Sequence, residues 1–213
     1  MTVGQVLSEK RGWLLIISYG AFTFIINACM GSMVVRYMSL APAGAENPMA
    51  VWINATKWLA MGAILGIPMS YVFGWIDDKI GSVKASMVLG LCEFIPVLAL
   101  MLQPEGGSAP LMILWGFGVA CMTGGVPTLH PCITSYIYGR REYQSANRII
   151  MAIQLIPSAV AAMIMTILIN SGKATLAYGI LLVVIIIGLA ATAGMLKIKD
   201  ANAADRDYAD KAA

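Results

Sequence analysis

The sequence predicts an all-α integral membrane protein with six transmembrane helices, and three observations carry that prediction. Of its 213 residues, 59% are apolar and 12% charged, with a mean hydropathy of +0.79, whereas a soluble domain needs about 25% charge. Several stretches of about 20 residues hold at most one ionisable side chain, the length that crosses a hydrocarbon core of roughly 30 Å. Those stretches lack the in/out alternation of a barrel strand, and a backbone in lipid must satisfy its own hydrogen bonds, so the spans are helices. A soluble enzyme and a nucleic-acid binder are excluded for most of the chain. The net charge of +3 decides little, because in a membrane the position of the basic residues matters more than their sum.

A short N-terminal segment, residues 1–12, precedes the first span, expected from Trp13 to Val35. A signal peptide is the rival reading, with Lys10-Arg11 ahead of the run and Ala41-Pro42-Ala43 as a cleavage site. The run of about 23 residues exceeds the usual apolar core of roughly 7–15, and Arg36 intervenes before the cleavage point. The second span runs from Val51 to Phe73, the third from Val83 to Leu102 and the fourth from Leu111 to Tyr136. The fifth runs from Ile149 to Ile169 and the sixth from Ala174 to Leu196, giving a transmembrane domain over 13–196. Ala41-Pro42-Ala43-Gly44, Pro104-Glu105-Gly106-Gly107 and Ser171-Gly172-Lys173 mark turns between spans. Residues 197–213 form a polar tail, whose Ala/Asp-rich stretch from Asp200 to Ala213 is expected to be disordered.

Orientation follows from the 14 basic residues. With the N-terminus inside, Lys10, Arg11, Lys79, Lys84, Arg140, Arg141, Arg148, Lys197, Lys199, Arg206 and Lys211 fall on the cytoplasmic side, against Arg36, Lys57 and Lys173 outside. The expectation is a multi-pass protein of the cell (inner or plasma) membrane with both termini cytoplasmic. Cys29, Cys92, Cys121 and Cys132 all lie inside apolar runs. Without a CxxC or a Cys/His cluster they read as small buried hydrophobes rather than a disulfide or metal framework. No cofactor is expected, and no nucleotide-binding, zinc-protease, serine-hydrolase or EF-hand pattern appears.

The connector after the second span reads Gly74-Trp75-Ile76-Asp77-Asp78-Lys79-Ile80-Gly81. It resembles the G-x-x-x-D-[RK]-x-G loop of the major facilitator superfamily, which lies on the cytoplasmic side between the second and third helices of each six-helix half. The basic residue which that family carries two positions after the second glycine is Val83 here, with Lys84 next. Tyr138-Gly139-Arg140-Arg141-Glu142-Tyr143, between spans four and five, is similar to the G-[RK]-[RK] turn before the eleventh helix in the branch of oxalate:formate antiporters and monocarboxylate carriers. The resemblance covers six spans, half of a twelve-helix transporter, with the C-terminal half the better match. It implies a secondary transporter that moves a small solute, with an organic anion as the candidate and a proton as the candidate partner ion, by alternating access. It also implies a partner in the bilayer, either a second copy of the chain or a separate N-terminal half. A non-transporting membrane subunit that stabilises or regulates a partner is the alternative, and an intramembrane enzyme is disfavoured by the lack of a nucleophile/base pair.

Ionisable residues at membrane depth are candidate sites by default, at a cost of about 2.5–3.5 kcal/mol each. Glu93, mid-way along span three and one turn from Pro96, is a candidate proton carrier, with a structural hydrogen bond as the alternative. His130, the only histidine, lies within Gly124-Gly125-Val126-Pro127-Thr128-Leu129-His130-Pro131. That setting suits a bend or hinge, so His130 is the second proton-coupling candidate. Tyr19, Thr23 and Asn27 recur at i, i+4 and i+8 on one face of span one. Asn54 and Lys57 share a face of span two, and Arg36 and Lys57 near the outer ends suggest a positive mouth, against which stands snorkelling of both stems to the interface. In the family, spans one, two and four border the cavity. The substrate-binding candidates are therefore Tyr19, Asn27, Arg36, Asn54, Lys57 and, near Pro157 in span five, Gln154. The oxalate:formate branch implies a basic residue deep in span five, and none lies between Arg148 and Lys173. Gly74, Asp78, Lys79, Gly81, Arg140 and Arg141 are the candidate conformational residues. Gly62-x-x-x-Gly66 and Ser158-x-x-x-Ala162 are small-residue faces, read as internal packing before dimerisation. Asn54-Ala55-Thr56 fits a glycosylation sequon at a span's edge, and the 15 methionines read as flexible packing.

Overall fold

The computed structural model describes residues 2–41 and 48–202. Every regular element among them is helical: α1 (Val3–Ser8), α2 (Lys10–Ser39), α3 (Pro48–Ile80), α4 (Ser82–Cys92), α5 (Phe94–Met101), α6 (Ala109–Asn170) and α7 (Ala174–Gly194), which ends in a 3-10 turn at Met195–Lys197. Five stretches are long and apolar enough to cross a bilayer: Lys10–Ser39, Trp52–Ile80, Ser82–Met101, Ala109–Asn170 and Ala174–Lys197. The protein is thus an all-helical, membrane-embedded chain.

The fourth stretch is 62 residues long, which at 1.5 Å per residue would reach roughly 90 Å, about three bilayer cores. It folds back instead. Gly139 has φ 76° and ψ 162°, left-handed backbone that a side-chain-bearing residue rarely adopts, and it splits α6 into a first arm ending at Tyr138 and a second starting at Arg140. Residues on both arms line one cavity.

The expected connectors are shorter than the sequence suggests. Gly74 to Ile80 is the last two turns of α3, and only Gly81, at φ 85°, leaves the helix. Its N–H donates to the Asp77 carbonyl at 2.8 Å. Similarly the expected loop from Gly139 to Arg148 is helical from Arg140 onward, because Arg, Glu, Gln and Ala are good helix formers and one glycine suffices for the reversal. Helical dihedrals run through Pro127 and Pro131, and the one non-helical residue of α6 is Gly139. Glu93 is a turn between α4 and α5. Pro96 has no N–H to offer the Cys92 carbonyl, so the ladder is interrupted there.

α2 is the central helix, packed on α3, α7 and both arms of α6. Tyr19, Phe22, Phe73, Leu89 and Ile133 form one part of the core, and Ile25, Met33, Trp115, Met122 and Tyr178 the other. The small-residue faces act within the chain. A Cβ on Gly124 would lie 2.5 Å from the Gly66 carbonyl oxygen and 2.7 Å from the Ser70 nitrogen, so α3 and the first arm touch backbone to backbone. Gly31 of α2 seats the Ala162 methyl group of the second arm. Outward, α3 shows Ile64, Ile67 and Tyr71, and the second arm shows Leu155 and Ile156, as exposed apolar residues, the composition that lipid or a partner requires.

Among the described residues, the segments before α2 and after α7 pack on the bundle. In α1, Val6 is buried in the core part that holds Leu15 and Met195, and Trp13 donates to the Leu7 carbonyl at 2.8 Å. The expected disorder of the tail is corrected for Asp200–Asn202, which dock on α6 through hydrogen bonds. The remainder of that expectation, residues 203–213, lies outside the described residues, as does the connector at Pro42-Ala43-Gly44.

Candidate functional site

A cavity of about 520 Å³ opens between α2 and the two arms of α6. Its polar wall is built by helix periodicity: Thr23 from α2, Thr123 and His130 from the first arm, and Tyr143, Asn147 and Gln154 from the second. The Thr23 hydroxyl donates to the Tyr19 carbonyl at 2.7 Å and the Thr123 hydroxyl to the Val119 carbonyl at 2.9 Å. Both present methyl groups and oxygen lone pairs to the cavity rather than free donors.

His130 is the centre of the polar wall. Its residue is 5% exposed, its ring meets that of Tyr19 edge to face with centroids 4.9 Å apart, and it lies close to Gln154 and Asn147. Its Nε2 is buried with no hydrogen-bond partner, and so is the Asn147 Oδ1. Buried polar atoms are nearly always paired, so two lone atoms on one cavity wall are where a bound solute or water would bond. Gln154 is held by its Nε2 donating to the Leu15 carbonyl at 3.2 Å.

Tyr19 belongs to this site from behind. The Ser86 hydroxyl donates to the Ser82 carbonyl at 2.7 Å, so in the 2.6 Å contact between Tyr19 and Ser86 the phenol is the donor. Tyr19 thus backs His130 without reaching the cavity. Glu93 is fully buried, with neither carboxylate oxygen partnered, and it lies within electrostatic reach of Tyr19 and Cys29 on α2. The expected structural hydrogen bond to Glu93 is absent among the described residues.

The structure brings the substrate candidates Gln154 and Tyr19 against the proton-coupling candidate His130 and leaves the other substrate candidates apart. Asn54 and Lys57 are exposed on α3 and do not line the cavity. Arg36 is half-buried and points its Nε at the Leu100 carbonyl, at 3.4 Å. Asn27 is exposed, its amide donating to the Thr23 carbonyl at 3.0 Å. The polar stripe on α2 is therefore satisfied within the chain and by itself requires no partner. Asp78, Lys79, Arg140 and Arg141 are exposed at the Gly139 end of the bundle, and Asp78 and Lys79 make no ion pair among the described residues.

Sequence reasoning missed Thr123, Tyr143 and Asn147. Tyr143 and Asn147 were hidden by their place in an expected loop, and the signal that would have found them is their spacing from Gln154: 143, 147 and 154 share one helical face. Among the described residues no group of His, Cys, Asp and Glu is placed to hold a metal ion.

No family model, curated protein or solved structure matches the chain.

Proposed function

We propose that the chain is a six-span half of a secondary transporter of the major facilitator type, moving a small solute across the membrane by alternating access. The six spans are α2, α3, α4 with α5, the two arms of α6, and α7, and the basic residues put both termini and the Gly139 end on the cytoplasmic side. The observation that carries the reading is the cavity itself. Its walls are spans one, four and five, which include two of the three that border the cavity in the family resembled, and its unpartnered atoms are His130 Nε2 and Asn147 Oδ1.

The solute contacts are His130, Asn147 and Gln154. The cavity lining includes no lysine or arginine, so if the solute is an organic anion, the imidazolium form of His130 is the charged contact within the cavity. Arg36 and Lys57 act at longer range, as an attracting mouth. A second copy or a separate N-terminal half faces the cavity's open side. The non-transporting subunit reading uses the same exposed apolar flanks but gives the unpartnered polar atoms no task.

Uptake of labelled small mono- and dicarboxylates into proteoliposomes tests this, with or without an inward proton gradient. His130→Gln should raise half-saturation tenfold or more, about 1.4 kcal/mol, while Lys57→Gln should change it less than threefold. Equal transport by the parent and His130→Gln removes the assignment.

A further inference from the structure

Two helix arms that end at one glycine leave orphaned backbone groups on both sides: the last carbonyls of the first arm and the first N–H groups of the second. Here the partners come from Arg11, at the start of α2, and from Ala201 and Asn202, after α7. The Asn202 Nδ2 donates to the Ser135 carbonyl at 2.9 Å, the Ala201 N–H to the Tyr136 carbonyl at 2.9 Å, and the Arg11 Nη1 to the Ile137 carbonyl at 3.0 Å. Across the break, the Arg140 N–H donates to the Asn202 Oδ1 at 3.0 Å. One side-chain amide therefore bonds both arms.

Both clamps are themselves held. Asn202 is 6% exposed, and its N–H donates to the Asp200 Oδ1 at 2.9 Å. The Tyr136 hydroxyl donates to the Ile198 carbonyl at 3.2 Å. Arg11 is gripped by Glu9 at 2.6 and 3.1 Å and lies over the Tyr138 ring at 4.8 Å. Water could cap these groups at an exposed helix end, so supply from partners 62 to 126 residues away does more than satisfy them. It ties the angle between the arms to the seating of Arg11 and of residues 198–202. Asn202 also lines a cleft of about 390 Å³ with Asp77, Cys132 and Arg140, and Pro131 and Tyr143 are common to this cleft and the central cavity.

We propose that Arg11 and Asn202 are positioning residues: together they clamp the two arms of α6 at Gly139 and so set the angle between them, and undocking of 198–202 releases the second arm. This concerns the bundle's own geometry and holds whatever passes through the cavity.

The test needs no solute. In the full chain with its four cysteines replaced, nitroxide labels go on exposed Ile113 and Ile167, far from the break on each arm, and a control pair on exposed Met38 and Leu176 of α2 and α7. Electron–electron distance measurements should give one narrow population for each pair in the parent. Asn202→Ala should add a second, shifted population to the Ile113/Ile167 pair only, and Asn202→Gln, which keeps donor and acceptor, should reduce it. Arg11→Met provides an independent variant, with hydrogen exchange of the Arg140 amide about tenfold faster in either. An unchanged Ile113/Ile167 distance in both variants, or equal broadening of the control pair, overturns the proposal.

Discussion

The ring of Tyr19 meets His130 edge to face at an interplanar angle of 78°, while its hydroxyl is anchored to Ser86 on α4. The contact fixes the orientation of the imidazole that faces the cavity. Tyr19→Phe keeps that edge and loses one buried hydrogen bond, so it should lower stability in detergent by about 1 kcal/mol with solute affinity changed less than twofold. Tyr19→Ala should cost about 3–5 kcal/mol and affinity as well. Thermal unfolding and uptake on the same preparations check both.

Glu93 is the one fully buried carboxyl among the described residues, and neither oxygen has a partner. An unpaired charge at this depth is costly, so the isosteric Glu93→Gln should fold with undiminished stability. In reconstituted vesicles it should abolish pH-driven accumulation and leave solute exchange intact. Accumulation equal to that of the parent would remove Glu93 from proton coupling.

Backbone contact between α3 and the first arm of α6 sets a steric prediction. The Cβ of Gly124→Ala would strike the Gly66 carbonyl, which cannot swing aside, so the helices must separate at a cost of about 1–3 kcal/mol. Gly179→Ala in α7 meets nothing within 4 Å and should be neutral or stabilise by about 0.5–1 kcal/mol. Melting temperatures of the two variants should move in opposite directions or differ by that sum.

How far the sequence could be read is clear from particular residues. The long apolar helices were legible because each run is about 20 residues without paired charge, and Gly139 was legible as a glycine before two arginines. The extents of the connectors were not: the single Gly74 in Gly74–Ile80 costs only about 1 kcal/mol in a helix, and Arg140–Asn147 holds no glycine or proline, but charge and polarity imitate a loop. Lys57 and Asn54 share a helical face, as their spacing predicts, but which way α3 turns that face depends on Gly62 and Gly66 seating against α6, a tertiary fact. The docking of Asn202 on Ser135 and Arg140 was hidden for the same reason, since its partners are 62 to 67 residues away.

Topology is tested by sidedness. Single cysteines at Ser82, after α3, and Ser108, before α6, in a cysteine-free background should react with impermeant maleimide from opposite faces of the membrane. Reaction of both from one face would contradict the six-span arrangement.

Alternating access is the central claim, and it makes one demand that needs no knowledge of the solute: a residue on the cavity wall must meet water from each side in turn. Asn147→Cys, between Tyr143 and Gln154 on the second arm, should be labelled by impermeant maleimide added to either face of sealed, oriented vesicles, each reaction running to completion as the two states exchange. Labelling from one face alone, with full reaction after detergent is added, would show a cavity that opens to one side only and would contradict the transporter reading.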